Sequence, residues 1–160
     1  MTNLKDIHFR RYDELPDVSL YIDQLLTALD DMIKPFEQLY DKKLLTKSMV
    51  NNYVKHSVVS PPENKRYGKK QLAQLLTIAL FKQVFSIEEI MLLFKIKRMH
   101  YDTAVAYDYL IEEIELALQF SYLDGKALPK HATIETEQTK LIRAMVLALT
   151  SKLYVKLQLE

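Results

Sequence analysis

The stretch Leu44–Phe94 reads LLTKSMVNNYVKHSVVSPPENKRYGKKQLAQLLTIALFKQVFSIEEIMLLF, and the order of its signals decides the fold. Thr46 is an N-cap residue type; behind it Met49, Val50, Tyr53 and Val54 fall on one side of a short helix, with Leu45 packing just before it. The other side carries Lys47, Ser48, Asn51, Asn52, Lys55 and His56 and nothing acidic. Two adjacent asparagines there point to use of their side chains, because Asn is a poor helix former. Ser57-Val58-Val59-Ser60-Pro61-Pro62 cannot stay helical, since each proline pushes the residue before it into extended backbone. Glu63-Asn64 turns the chain, and Lys65-Arg66-Tyr67 returns as a short basic strand. Gly68 caps a helix over 69–83, in which Leu72, Leu75, Leu76, Ala79 and Leu80 form a buried stripe. Ser86-Ile87-Glu88-Glu89 is a capping box, in which Ser86 and Glu89 satisfy each other's backbone donors. Ile87, Ile90, Met91, Leu93 and Phe94 give the helix that follows its apolar side.

This order predicts a winged helix-turn-helix with a minimal two-stranded wing. Residues 1–15 are charged and irregular. Asp17, after Leu15-Pro16, is expected to cap an N-terminal helix whose apolar face is Ile22, Leu25, Leu26, Leu29, Met32 and Ile33. Pro35 is expected to end or kink it, with Phe36, Leu39 and Tyr40 continuing as a short helical turn. Beyond the central stretch, Lys95, Lys97, Arg98 and His100 make a smaller basic cluster that reads either as more of the reader or as a solvated connection. A long helix from about Tyr101 has Ala104, Tyr107, Ile111, Ile114 and Leu118 on one seam. Asp124-Gly125 and Pro129 mark a turn. A last helix from about Ile134 carries Ile142, Val146, Leu149 and Leu153 as a stripe. The chain therefore reads as mainly all-α. Residues 1–98 hold the N-terminal helix and the winged helix-turn-helix. Residues 99–160 form a C-terminal helical hairpin for dimerisation or an effector.

Composition supports helices and excludes much chemistry. Only two glycines and five prolines occur among 160 residues, while 49% of the chain is hydrophobic, so there are few turns and ample core. The absence of cysteine excludes disulfides, thiolate catalysis and Cys-type zinc sites. His8, His56, His100 and His131 share no metal spacing, and no phosphate loop, dinucleotide fingerprint or nucleophile elbow is present. Glu112, Glu113 and Glu115 are helix acids of a kind usually solvated. No cofactor, metal or enzymatic activity is expected. No apolar run reaches the ~20 residues of a membrane span, and no apolar leader core stands at the start, so a cytoplasmic protein is expected. The net charge of +1 hides a segregation. Residues 42–70 carry eight basic side chains against Glu63, a local surplus of seven, whereas residues 1–41 carry four basic and nine acidic ones. Such a surplus creates a field that attracts polyanions.

The central stretch resembles the DNA-binding domain of MerR-type regulators. Asn51-Asn52-Tyr53 stands where that family has Arg-Tyr-Tyr, and Pro61 stands at its turn. Arg66-Tyr67-Gly68-Lys69-Lys70-Gln71-Leu72 is similar to its wing exit and next helix, and Phe85-Ser86-Ile87-Glu88-Glu89-Ile90 to its Gly-Phe-Ser-hydrophobic-Glu-Glu-Ile segment. The likeness covers about residues 36–94. Asn51 replaces the arginine of the recognition helix, Ser57 the turn glycine and Val84 the glycine before Phe85, so base contacts do not carry over. The whole chain, from Arg11-Tyr12 and Leu15-Pro16 through LTKSMVNNYVKH, also resembles a small bacterial family known only as a domain of unknown function.

The first functional expectation is a DNA-binding transcriptional regulator whose helix Thr46–His56 enters the major groove of double-stranded DNA. Asn51 and Asn52 are its base readers, with Ser48 and His56 next to them; Lys47, Lys55, Lys65, Arg66, Lys69 and Lys70 hold phosphates; Tyr67 supports the wing or touches the DNA backbone. A homodimer through the C-terminal helices would set half-site spacing. The alternative is a protein-interaction module of the same fold that does not touch DNA. A third is an enzyme or small-molecule sensor built on Tyr101, Tyr107, Tyr109, Phe120, Tyr122 and Tyr154.

Overall fold

The structure, a computed structural model, describes residues 3–120 and 135–160. Single 3₁₀ turns at Leu4–Asp6 and Tyr12–Glu14 precede six helices: α1 (Ile22–Tyr40), α2 (Lys47–Lys55), α3 (Lys69–Phe81), α4 (Ile87–His100), α5 (Thr103–Phe120) and α6 (Glu137–Leu159). The expected turn at Asp124-Gly125 and Pro129, and the start of the last helix near Ile134, lie outside the described residues.

α3 is the centre of the molecule. It touches α1, α4, α5 and α6, and Leu72 through Leu76 and Ile78 through Phe81 are all buried. A helix apolar on every side belongs inside, and the remaining elements wrap it. One core runs from Phe9 and Leu25 through Leu72 and Leu76 to Ile114, Leu149 and Leu153, crossing the boundary expected near residue 98 without a break.

Helix ends follow the local chemistry. The Thr46 hydroxyl accepts from the Met49 N–H at 3.2 Å. The Ser86–Glu89 capping box forms, with contacts of 3.1 and 2.7 Å. α1 closes on Asp41 in the left-handed region (φ 49°), where the Lys42 N–H reaches the Glu37 carbonyl at 3.2 Å, a Schellman-type stop built without glycine.

Four expectations are corrected. First, α1 starts at Ile22 rather than behind Asp17, because Leu20 is taken by another partner: it exchanges two backbone hydrogen bonds with Tyr67, at 2.8 and 2.7 Å. Second, Pro35 does not end α1, which runs through it to Tyr40. An interior proline costs about 3 kcal/mol, and the burial of Ile33 and Phe36 on either side of it, with Phe36 stacked on Phe9 at 5.9 Å, offsets that cost. Third, no strand forms among the described residues. The expected wing is reduced to one turn, in which Glu63 and Arg66 exchange backbone hydrogen bonds of 3.0 and 2.9 Å. Its centre, Asn64 and Lys65, has positive φ at both residues (49° and 61°), the mark of a type I′ hairpin turn.

Fourth, α5 and α6 pack together but are not a hairpin, since they run the same way. At their starts Gln138 meets His100 at 3.4 Å. The far end of α5 is held near Phe9, which stacks on Phe36 in α1, and the far end of α6 puts Lys156 over the Tyr40 ring of the same helix at 5.7 Å. The seam Tyr107, Ile111, Ile114 and Leu118 is buried as expected, as are Val146, Leu149 and Leu153.

The N-terminal arm is tied to α5. Glu115 accepts from the Phe9 N–H at 2.8 Å and from both terminal nitrogens of Arg11 at 3.2 and 2.8 Å, and His8 Nδ1 lies 3.2 Å away. Asp108 accepts from the Tyr12 N–H at 2.7 Å, and the Tyr107 hydroxyl donates to the Arg10 carbonyl at 2.9 Å. Glu115 is thus buried against the arm, and Glu113 is buried as well, contrary to the expectation that these acids are solvated.

Candidate nucleic-acid interface

α2 presents its polar side fully. Lys47, Ser48, Asn51, Asn52, Lys55 and His56 are all exposed, while Val50 and Tyr53 are buried. Neither asparagine side chain hydrogen-bonds another described residue, so both amides are open to a partner. His56 departs from the expected role: its Nδ1 lies 2.9 Å from the Asn52 carbonyl, which folds the ring back onto the last turn of its own helix.

Tyr53 anchors the helix. Its ring is buried, its hydroxyl receives the Lys82 ammonium at 3.0 Å, and its carbonyl accepts from Val58 N and Val59 N at 2.8 and 3.3 Å. The bend between Tyr53 and Val58 places Ser57 at φ 59°. A non-glycine residue in that region costs roughly 1–2 kcal/mol, so Ser57→Gly is expected to raise stability by up to about 1 kcal/mol after the added freedom of the unfolded chain is counted. Chemical denaturation measures it; an unchanged or lower midpoint would mean that Ser57 is not strained.

The basic turn is fixed from two sides. Gln71 donates to the Pro61 carbonyl at 3.2 Å and accepts from Gly68 N at 3.0 Å, and the buried Gln74 accepts from Ser60 N at 3.2 Å. Arg66 lies over the Tyr21 ring at 4.9 Å and donates to its hydroxyl at 3.0 Å. Two residues along α1, Asp23 pairs with Lys47 at 3.8 Å. Tyr21 therefore holds the tip of the turn, and the exposed Asp23–Lys47 pair sets the start of α2 beside it at the same end of α1. Reading the sequence singled out neither these two residues nor the two glutamines. Gln71 and Gln74 sit on the turn-facing side of α3, one helical turn apart, which is the signal that could have found them.

The other candidates divide. Lys65 is exposed and pairs with no carboxylate among the described residues, as is true of Lys55. Tyr67 is 4% exposed and pairs with Leu20, so it props the turn from inside and cannot touch a nucleic-acid backbone. Burial raises its hydroxyl pKa. Lys69 is drawn away over the Tyr12 ring at 5.8 Å and to the Asp13 carbonyl at 3.4 Å. Lys70 lies close enough to Lys97 to depress that ammonium, so it joins the second basic cluster rather than the α2 face. That cluster forms the last turns of α4 rather than a connection.

A family model described as a domain of unknown function, DUF1836, matches residues 10–110. The chain belongs to this family. The DUF1836 match takes in α1 to α4 and the first turns of α5, hence every candidate residue of the interface. Neither the curated proteins nor the solved structures contain a match to the chain. No described helix of this DUF1836 chain is long and apolar enough to cross a membrane, and no group of metal-ligating side chains gathers among its described residues.

Proposed function

We propose that this protein is a transcriptional regulator that binds double-stranded DNA, with a helix-turn-helix in which α2 enters the major groove and the Glu63–Arg66 turn serves as a minimal wing. The observation that carries this reading is the acid-free outer face of α2, with two unengaged asparagine amides flanked by Lys47 and Lys55 and the Lys65–Arg66 tip held at the same end of α1. Asn offers a donor and an acceptor that suit the adenine edge, and lysines at the margin suit phosphates. The resemblance to MerR-type readers supports the same assignment. The direct DNA contacts are then Lys47, Ser48, Asn51, Asn52, Lys55, Lys65 and Arg66, and a homodimer would double them.

Anisotropy titrations with a random duplex and with the upstream region of its own gene, at low and physiological salt, test the reading. Asn52→Ala is expected to level the preference between the two duplexes. Lys65→Ala is expected to weaken binding to both and to reduce the salt slope by about one unit. Equal losses from the two substitutions on every duplex would refute the division of roles, and no binding at low salt would refute DNA as the partner. The alternative, an interaction module for an acidic protein, draws on the exposed apolar side chains Leu92 and Met99 on α4 beside the basic cluster.

A further inference from the structure

We propose that the half-open chamber between α3, α4, α5 and α6 binds a small carboxylate with an apolar body, whose charge is met by Lys97 and Arg98. The chamber has a volume of about 90 Å³, and its walls include Phe81, Ile90, Tyr107, Leu110 and Met145. Among the described residues no aspartate or glutamate lines it, and Lys97 and Arg98 are the charged ones.

The electrostatics point the same way. The Lys97 side chain donates to Thr103 Oγ1 at 2.8 Å, which uses one of its three donor hydrogens. Burial is the first cause that holds its ammonium below the ordinary lysine range; Lys70 and Arg98 add to this, and Asp102 on the chain outside the chamber only partly opposes them. Two cations, Lys97 and Arg98, thus share the lining, with Lys70 near enough to add to the positive field. A carboxylate placed there satisfies the free lysine donors and offers Arg98 the paired oxygens that suit a guanidinium. The rest of the lining is mainly apolar, with Gln74, Thr77 and Gln138 among its polar members. An engineered apolar cavity of about 150 Å³ admits benzene, so the smaller volume of about 90 Å³ encloses only a short aliphatic body of about four carbons, and the chain of a longer acid extends through the opening.

Calorimetric titration and thermal shift of the full chain with butyrate, hexanoate and octanoate, beside hexanol and hexylamine, test this. Hexanoate is expected to bind and raise the melting temperature, hexanol at least tenfold less tightly and hexylamine not at all. Lys97→Met should lower hexanoate affinity at least tenfold. If that variant fails to fold, Arg98→Met at an exposed position should give a similar loss. Ala106→Leu, which fills the chamber, should abolish binding. Equal binding of hexanol and hexanoate, or undiminished binding in the lysine and arginine variants, would overturn the anion site. Failure of every probe to bind would make the chamber a packing gap. These readouts involve no DNA, so they stand apart from the test of the proposed interface.

Discussion

Tyr53→Ala is expected to lower stability by about 3 kcal/mol or more and, in whatever fraction folds, to remove the ordered face of α2. Truncating a buried aromatic ring costs about 3–5 kcal/mol, because lost transfer energy adds to an unfilled cavity. Here the ring is 3% exposed and belongs to a helix of only nine residues, too short to hold its shape without packing. The Lys82 ammonium also loses the hydroxyl it donates to. Tyr53→Phe separates the two effects: it keeps the ring and drops the oxygen, and should cost only about 1 kcal/mol. Denaturation midpoints of the two variants check the ratio, and circular dichroism of Tyr53→Ala checks whether helix is lost. Similar small costs for both would mean that α2 is held by Val50 and the turn instead.

Arg11→Ala is expected to cost about 3 kcal/mol. Breaking a buried ion pair costs about 3–5 kcal/mol because a desolvated charge is left behind. The Arg11 side chain is 25% exposed and Glu115 11%, which places the expectation at the lower end. Glu115→Gln keeps an acceptor for the Phe9 N–H while removing the charge. A double-mutant cycle with Arg11→Ala and Glu115→Gln should therefore show a large coupling, with the pair of changes costing clearly less than the two single costs added. Additive costs would show that the arm is held by Phe9 and Tyr12 rather than by the carboxylate.

Much of the fold is legible in the sequence where the deciding chemistry is local. Thr46, Ser86 and Glu89 announce helix starts because a cap needs only the next three residues. The stripes of α3, α5 and α6 appear as spacing alone. What the sequence hides depends on distant partners. Asp17 has the residue type of a cap, but pairing of Leu20 with Tyr67 keeps that segment extended. Pro35 reads as a stop or a kink because the proline cost is visible locally and the stack of Phe36 on Phe9, which keeps the helix going, is not. Glu115 looks like a solvated helix acid until Arg11 is brought to it from the other end of the chain. In the candidate interface, the α2 face is readable from one helical turn to the next. The loss of Tyr67, Lys69 and His56 from it is not, since each is claimed by a neighbour that spacing does not reveal.

The union of the arm with α5 also fixes when this protein can be completed. Phe9 and Glu115 are separated by 106 positions. At synthesis rates of about 5–20 residues per second, the first strands of chain to leave the ribosome wait on the order of 5–20 s for their partner. Until then Phe9 has no carboxylate to hold its backbone, and the end of α1 has no α6 against it. The elements before α5 emerge first but are covered last, so a truncated product ending near α4 would present Phe36 and Leu76 to chaperones rather than a finished domain.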